Sequence, residues 1–239
     1  MAEVQRIAGE LGFARKGFDE AGIDPAGNII VTSGDRKVVV RSDGSRDYML
    51  ETVNLDNRQA ISVAKARQIA EDTVRGLNLG QDLKVDTIRV GHTAGGTNAG
   101  SGQFDKGHPT DVGVFFRPVI DGLSNVNHDH GNLMVSVDND GTVTSLRDTT
   151  RPIADIRKID AFSGPKLPRQ KGGDITKLLH DGIKGRYGRA KVTLLSDTVS
   201  VGYDFSGKTG NLVAQALFDI DFGHNMHKQA QIRVPVTAA

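Results

Sequence analysis

Three times along this chain an amphipathic helical pattern is followed by a run of short, β-branched strands, and this order restricts the fold more than any other feature. In the first stretch, EVQRIAGELGF places Val4, Ile7, Ala8 and Leu11 at helical spacing, with Gly12 as a stop. NIIV (28–31), KVVVR (37–41) and DYMLETVN (47–54) then read as strands separated by the turn signals SGD and SDGS. In the second, LDNRQAISVAKARQIAEDTVRGLNL predicts a helix near 57–76. Asp56 is its expected N-cap, with Gln59 completing a capping box. Ala60, Val63, Ala66, Ala70, Val74 and Leu77 share one face. Strands are expected at 85–90, 111–120, 132–138 and 142–148. In the third, Asp174 is the expected cap of a helix whose face holds Ile175, Leu178, Leu179, Ile183 and Tyr187, with Gly188 ending it. Strands follow at 191–196, 198–205, 211–222 and 229–236. A helix laid across one face of an antiparallel meander is a stable two-layer unit. The expected class is therefore α+β, divided as 1–55, 56–150 and 174–239. Residues 151–173, with three prolines, three glycines and six basic against two acidic residues, are expected to form a linker or crossing segment.

Composition removes several functions. The chain has no cysteine, which excludes disulfides, thiolate nucleophiles and cysteine-type zinc sites. Thirty basic and 29 acidic residues leave a net charge of +1, which argues against nucleic acid as the main partner. Apolar residues make up 37%, but no run approaches the roughly 18 residues of a membrane-spanning helix. Tryptophan is absent and aromatics are 5%, which disfavours aromatic carbohydrate platforms. The opening MAEVQRIAGEL is charged and amphipathic rather than a signal peptide.

The middle stretch also carries a likeness. The helix AISVAKARQIAEDTV is followed by a strand, then by FFRPVIDGL and NLMVSVDNDGTVTSL. This resembles the PepSY and YycI-like group of cystatin-like domains. Phe116, Arg117, Ile120, Asp121 and Gly122 match that group's aromatic–Arg–apolar–Asp–Gly pattern. Val135, Val137, Asp138, Asp140, Gly141 and Val143 match its V-x-V-D-x-D-G-x-V hairpin. The likeness covers roughly 57–150, with a fainter echo in 174–236. One departure stands out: the group's short connection after IDG is replaced here by the longer, histidine-rich LSNVNHDHGN. The resemblance implies tandem cystatin-like units in an extracytoplasmic, usually non-enzymatic module that restrains or escorts another protein.

Candidate chemistry is sparse. VDNDGTV (137–143) looks like a calcium loop, but an EF-hand with Gly141 at its sixth position would begin at Ser136 and end at Arg147, without the required carboxylates. A tight turn between strands needs nothing further. His128 and His130 form the best metal pair, with imidazoles suited to zinc, copper or nickel if His92, His108, His224 or His227 supplies a third ligand. HNMH (224–227) is a weaker chelate, and His180 is expected in solvent. GYDFSGKT (202–209) matches a phosphate-binding loop in spacing, but a strand-like run follows where a helix is required. Asp219 and Asp221 share a strand face, as a carboxylate pair or as solvated acids on an edge strand. The long loop 92–111 exceeds ordinary connections, and such loops are often functional.

The expected function is binding: an exported, non-enzymatic module docking a protein or peptide through a sheet edge and its long loops. The expected contact residues are Gly95, Asn98, Phe104, His108, Asn127 and Asp129, with no cofactor beyond a transition metal at His128 and His130. A structural subunit of a virion, filament or shell is the alternative, and a metal-dependent activity the third.

Overall fold

The computed structural model describes residues 2–13, 20–79, 82–97, 100, 102, 104–105, 107–120, 122–127, 130–150, 173–188, 191–205, 210–221 and 227–236. The fold is α+β, with three helices and mostly antiparallel sheets among these residues. It divides into two units, one of residues 1–118 and 132–152, the other of residues 119–131 and 153–239.

In the first unit, helix α1 (Ala2–Glu10) buries Val4, Ile7 and Ala8. It ends where the sequence predicts. Gly12 takes φ +84°, a left-handed geometry that glycine adopts without strain, and the Phe13 N–H reaches back to the Ala8 carbonyl at 2.9 Å. Strands β1 (Glu20–Ile23), β2 (Ile29–Ser33), β3 (Arg36–Val40) and β4 (Arg46–Met49) form a meander. Of these four strands only β1 has no counterpart in the sequence reading, because EAGI lacks both alternation and β-branched density.

Helix α2 (Val63–Leu77) starts later than expected. Its cap is Ser62, whose hydroxyl accepts the Lys65 N–H at 3.2 Å, and not Asp56. The intervening segment has other uses for its backbone. The Asn54 side chain accepts the Asp56 N–H and the Asn57 side chain accepts the Gln59 N–H, both at 3.1 Å. Such local side-chain acceptors compete with helix formation. Leu79 onward leads to β5 (Leu83–His92), and the chain continues through β6 (Gly96–Thr97), β7 (Phe104–Asp105), β8 (Pro109–Ile120), β9 (Leu123–Ser124), β10 (Leu133–Asp138) and β11 (Val143–Asp148).

The path through the main sheet is β1-β2-β3-β4-β11-β10-β8-β5, antiparallel throughout. The β4–β11 pairing joins the stretches on either side of the expected 55/56 boundary, so the first two helix-and-meander stretches share one sheet. Alternation explains the core. Val112, Val114 and Phe116 of β8, Leu133, Val135 and Val137 of β10, and Tyr48 and Leu146 are buried under Ala66, Ala70 and Leu77 of α2 and the apolar face of α1. Burying one such aliphatic or aromatic side chain contributes about 1.5–3 kcal/mol.

In the second unit, α3 (Gly173–Tyr187) begins two residues earlier than an Asp174 cap implies, so Asp174 lies inside its first turn instead of capping it. Its end is as predicted, with Gly188 at φ +60°. Strands β12 (Lys191–Leu194), β13 (Ser200–Asp204), β14 (Asn211–Asp221) and β15 (His227–Pro235) make an antiparallel sheet. β14 is its spine: β15 runs along one side, while β12 and β13 take successive halves of the other. Ala214, Ala216, Phe218 and Ile220, on one face of β14, pack with Leu179 and Ile183 of α3 and Ile232 of β15. Gly182 makes this close approach possible, since a Cβ there would lie 2.7 Å from Val234 Cγ2.

Residues 119–131 belong to this second unit. After the tight β8–β9 turn, Asn125 bridges in parallel to Tyr203, and the Val126 N–H donates to the Tyr203 carbonyl at 2.8 Å. The segment thus runs along the outer edge of β13. Asn125 is fully buried, and its amide nitrogen meets the carbonyls of Asn127, His130 and Gly131 at 3.1, 2.6 and 3.1 Å. The long histidine-rich connection is accordingly a structural insert in this sheet. The expected linker at 151–173 lies outside the described residues except for Gly173, which opens α3.

Candidate functional site

β5 is a terminal strand of the main sheet. Antiparallel pairing to β8 satisfies one side of its backbone, and among the described residues no strand pairs with the other. The register slips between Val85 and Thr87, leaving Asp86 as an extra residue. That bulge is pinned by an ion pair between Asp86 and Arg117 at 2.9 Å. Leu83, Lys84 and Val85 form the regular edge before it.

Alongside this edge, α2 and β5 flank a cleft of about 760 Å³. Phe116 is its buried floor, and Val74, Leu79, Leu83 and Val85 are half-buried walls. Charges stand at the rim. Arg67 pairs with Glu71 at 2.9 Å, and Arg75 with Asp72 at 2.8 Å, both within α2. Lys84 and Asp82 are 3.9 Å apart across one edge residue. The rim therefore presents largely neutralised pairs around an apolar interior. Periodicity already put Val74 on the apolar face of α2, but nothing in the sequence announced a gap between that face and β5.

The expected loop at 92–111 is a hairpin arm continuing β5 and β8. The Thr93 N–H donates to the His108 carbonyl at 2.9 Å, and β6 pairs with β7. Gly95 is exposed on it, and Phe104 lies in β7 opposite Thr97. His108 sits at the base of the arm, where its Nε2 lies 2.7 Å from the Leu55 carbonyl and its Nδ1 lies 3.4 Å from Thr93 Oγ1. A hydroxyl, an imidazole and an orienting carbonyl in that order invite comparison with an activated nucleophile. The distance to the hydroxyl exceeds the roughly 2.6–3.2 Å such activation uses. Thr93 Oγ1 also accepts the His108 backbone N–H at 2.9 Å. The arrangement ties the arm to the 50–62 segment.

Other predicted residues are placed differently. Asn127, expected at a partner surface, is buried; its amide donates to Asp204 at 2.7 Å, so it holds the insert in place. Of the metal pair, the His130 backbone is engaged with Asn125 and Asn127, while His128 lies outside the described residues. Asn98, Asp129 and His224 also lie outside them. Among the described residues no three His, Asp or Glu side chains group closely enough to hold a metal ion. His180 is exposed on α3. Of the phosphate-loop match, residues 206–209 lie outside the described residues, and the described element that follows is the strand β14 where such a loop requires a helix. Asp219 and Asp221 lie on β14, a central strand and not an edge, with Asp219 accepting a hydrogen bond from Gln229 at 3.4 Å.

VDNDGTV is a turn that also works as a clasp. Val137 stands opposite Val143, and Gly141 takes φ +93°. Asp138 is buried and accepts the Asn54 N–H at 2.8 Å and the Asn139 N–H at 2.6 Å. Asn139 donates to the carbonyls of Asn57 and Pro109 at 2.9 and 2.8 Å and accepts the Ile61 N–H at 3.3 Å. Asp140 faces solvent, and hydrogen bonds from Thr142 hold its carboxyl below the usual range. Because the folded-state value is depressed, this contribution is fully present above the ordinary carboxylate value and is lost as pH falls from there through the lowered folded-state value.

No protein-family model matches the chain, and no curated protein matches it. No described helix is long and apolar enough to cross a membrane.

Proposed function

We propose that the chain is a non-enzymatic binding module of the extracytoplasmic kind implied by its likeness to the PepSY and YycI-like group. Its tandem cystatin-like units present a sheet edge to an extended segment of a partner protein. The observation that carries the reading is the open edge of β5, lying beside an apolar-floored cleft and continuing into the 93–108 arm. Unpaired strand N–H and C=O groups recognise any extended backbone, and an adjacent groove selects among side chains. Nothing in this mode needs a cofactor or a catalytic group.

The test is a peptide-display selection against the whole chain, followed by mapping of the enriched peptides through backbone amide chemical shifts. The expected result is enrichment of extended sequences that shift Leu83–Val90 and the arm. Enriched peptides whose shifts fall on α3 or β15 instead, or no enrichment, would contradict the proposal.

A further inference from the structure

We infer that the α2–β5 cleft is an anchor pocket for one uncharged, apolar side chain of a short β-strand ligand. This rests on the edge-pairing reading above and specifies the ligand. Three observations set its properties. The bulge at Asp86 interrupts the regular edge, leaving Leu83–Val85 as the stretch that lines the cleft. A strand added there pairs over about three residues, and with side chains alternating between faces, one of them points into the cleft. The apolar part of the lining is Phe116, Val74, Leu79, Leu83 and Val85, with Asn78 and the charged side chains at the rim.

The rim supplies the third property. Arg67–Glu71, Arg75–Asp72 and Lys84–Asp82 set opposite charges side by side at the rim, with no net excess of either sign to select a charged side chain. A charged anchor would lose its hydration with no compensating partner. An aliphatic or aromatic anchor instead covers the half-exposed walls. A pocket of about 760 Å³ accommodates Leu or Phe, together with part of the neighbouring backbone.

The probe is a series of capped pentapeptides, acetyl-Thr-Val-X-Val-Thr-amide, with X = Leu, Phe, Asp or Lys, titrated into the whole chain and read by amide shifts. Leu and Phe peptides should shift Val74 and Leu83–Val85 saturably, and the Asp and Lys peptides should bind at least tenfold more weakly. Val74→Trp, which fills the pocket from an already half-exposed position, should abolish the preference for Leu and Phe. Lys177→Ala, at an exposed position of α3, should leave that preference intact. If all four peptides shift the β5 edge equally, the anchor pocket is refuted while edge pairing stands. If none shifts β5, both are refuted. A Val74→Trp variant that binds the Leu peptide as tightly as the parent would refute the pocket alone.

Discussion

Gly202→Ala should cost the second unit about 3 kcal/mol or more. A single methyl there would lie 2.4 Å from the Ser124 carbonyl oxygen and 2.4 Å from Val126 Cγ1. The first of these is backbone in the insert, which cannot rotate away as a side-chain terminus can. Ordinary overpacking costs roughly 1–3 kcal/mol, and an encounter with backbone lies at or beyond the upper end. The contact sits where 119–131 seals β13, so the loss should be seen first in the amide signals of Asn125–Asn127 and Ser200–Asp204. Gly185→Ala is the matched control. That glycine is exposed within α3, with nothing within 4 Å of the added carbon, and should gain about 0.5–1 kcal/mol from helix propensity. Thermal melts of both variants give the comparison. A Gly202→Ala protein as stable as the parent would mean the insert does not lie against β13.

Asn139→Ala is expected to destabilise the first unit by on the order of 2–3 kcal/mol, since it removes three hydrogen bonds and leaves half-buried backbone groups without those partners. The groups left behind are the carbonyls of Asn57 and Pro109 and the N–H of Ile61, which lie on two different segments. Asp140→Ala, one residue on, removes only an exposed carboxylate and its bond to the Thr142 N–H, and should leave stability close to the parent's. Chemical denaturation measures both. Hydrogen exchange at the Ile61 amide should accelerate in the Asn139 variant and stay unchanged in the Asp140 variant.

The contrast between these two neighbours shows what the sequence could reveal about this chain. The turn was legible because Asn-Asp-Gly between alternating valines has few other uses. The clasp was not, because Asn139 and Asp138 act on residues some 80 positions earlier, as in the bonds to Asn57 and Asn54. Local spacing carries no trace of such partners. The same division runs through the fold. The helices at Val4–Ala8, Ala66–Leu77 and Leu179–Ile183 were readable from their periodicity, and their glycine stops from the left-handed geometry at Gly12 and Gly188. Misplacing the start of α2 came from reading Asp56 as a cap, when Asn54 and Asn57 turn the chain there.

The site was legible in outline only. A free sheet edge follows from strand order, and the β4–β11 pairing that sets the order of the main sheet depends on long-range register. The 92–111 stretch read as a loop because Gly95, Gly96, Gly100 and Gly102 mask the pairing of β6 with β7. The histidine-rich connection read as a surface because NVNHDHGN is polar throughout. In the fold, its asparagines satisfy buried backbone groups, and Asn125 alone meets three carbonyls.

The central claim is that β5 recognises backbone, and its direct measurement is an N-methyl scan of a peptide selected against the chain. Methylation removes one N–H at a time without changing a side chain. An added strand directs alternate N–H groups toward its neighbour, so affinity should fall with a period of two along the peptide, and β5 amide shifts should vanish at those same positions. A scan in which every position is tolerated, or in which losses recur every three to four residues as for a docked helix, would contradict edge pairing by β5.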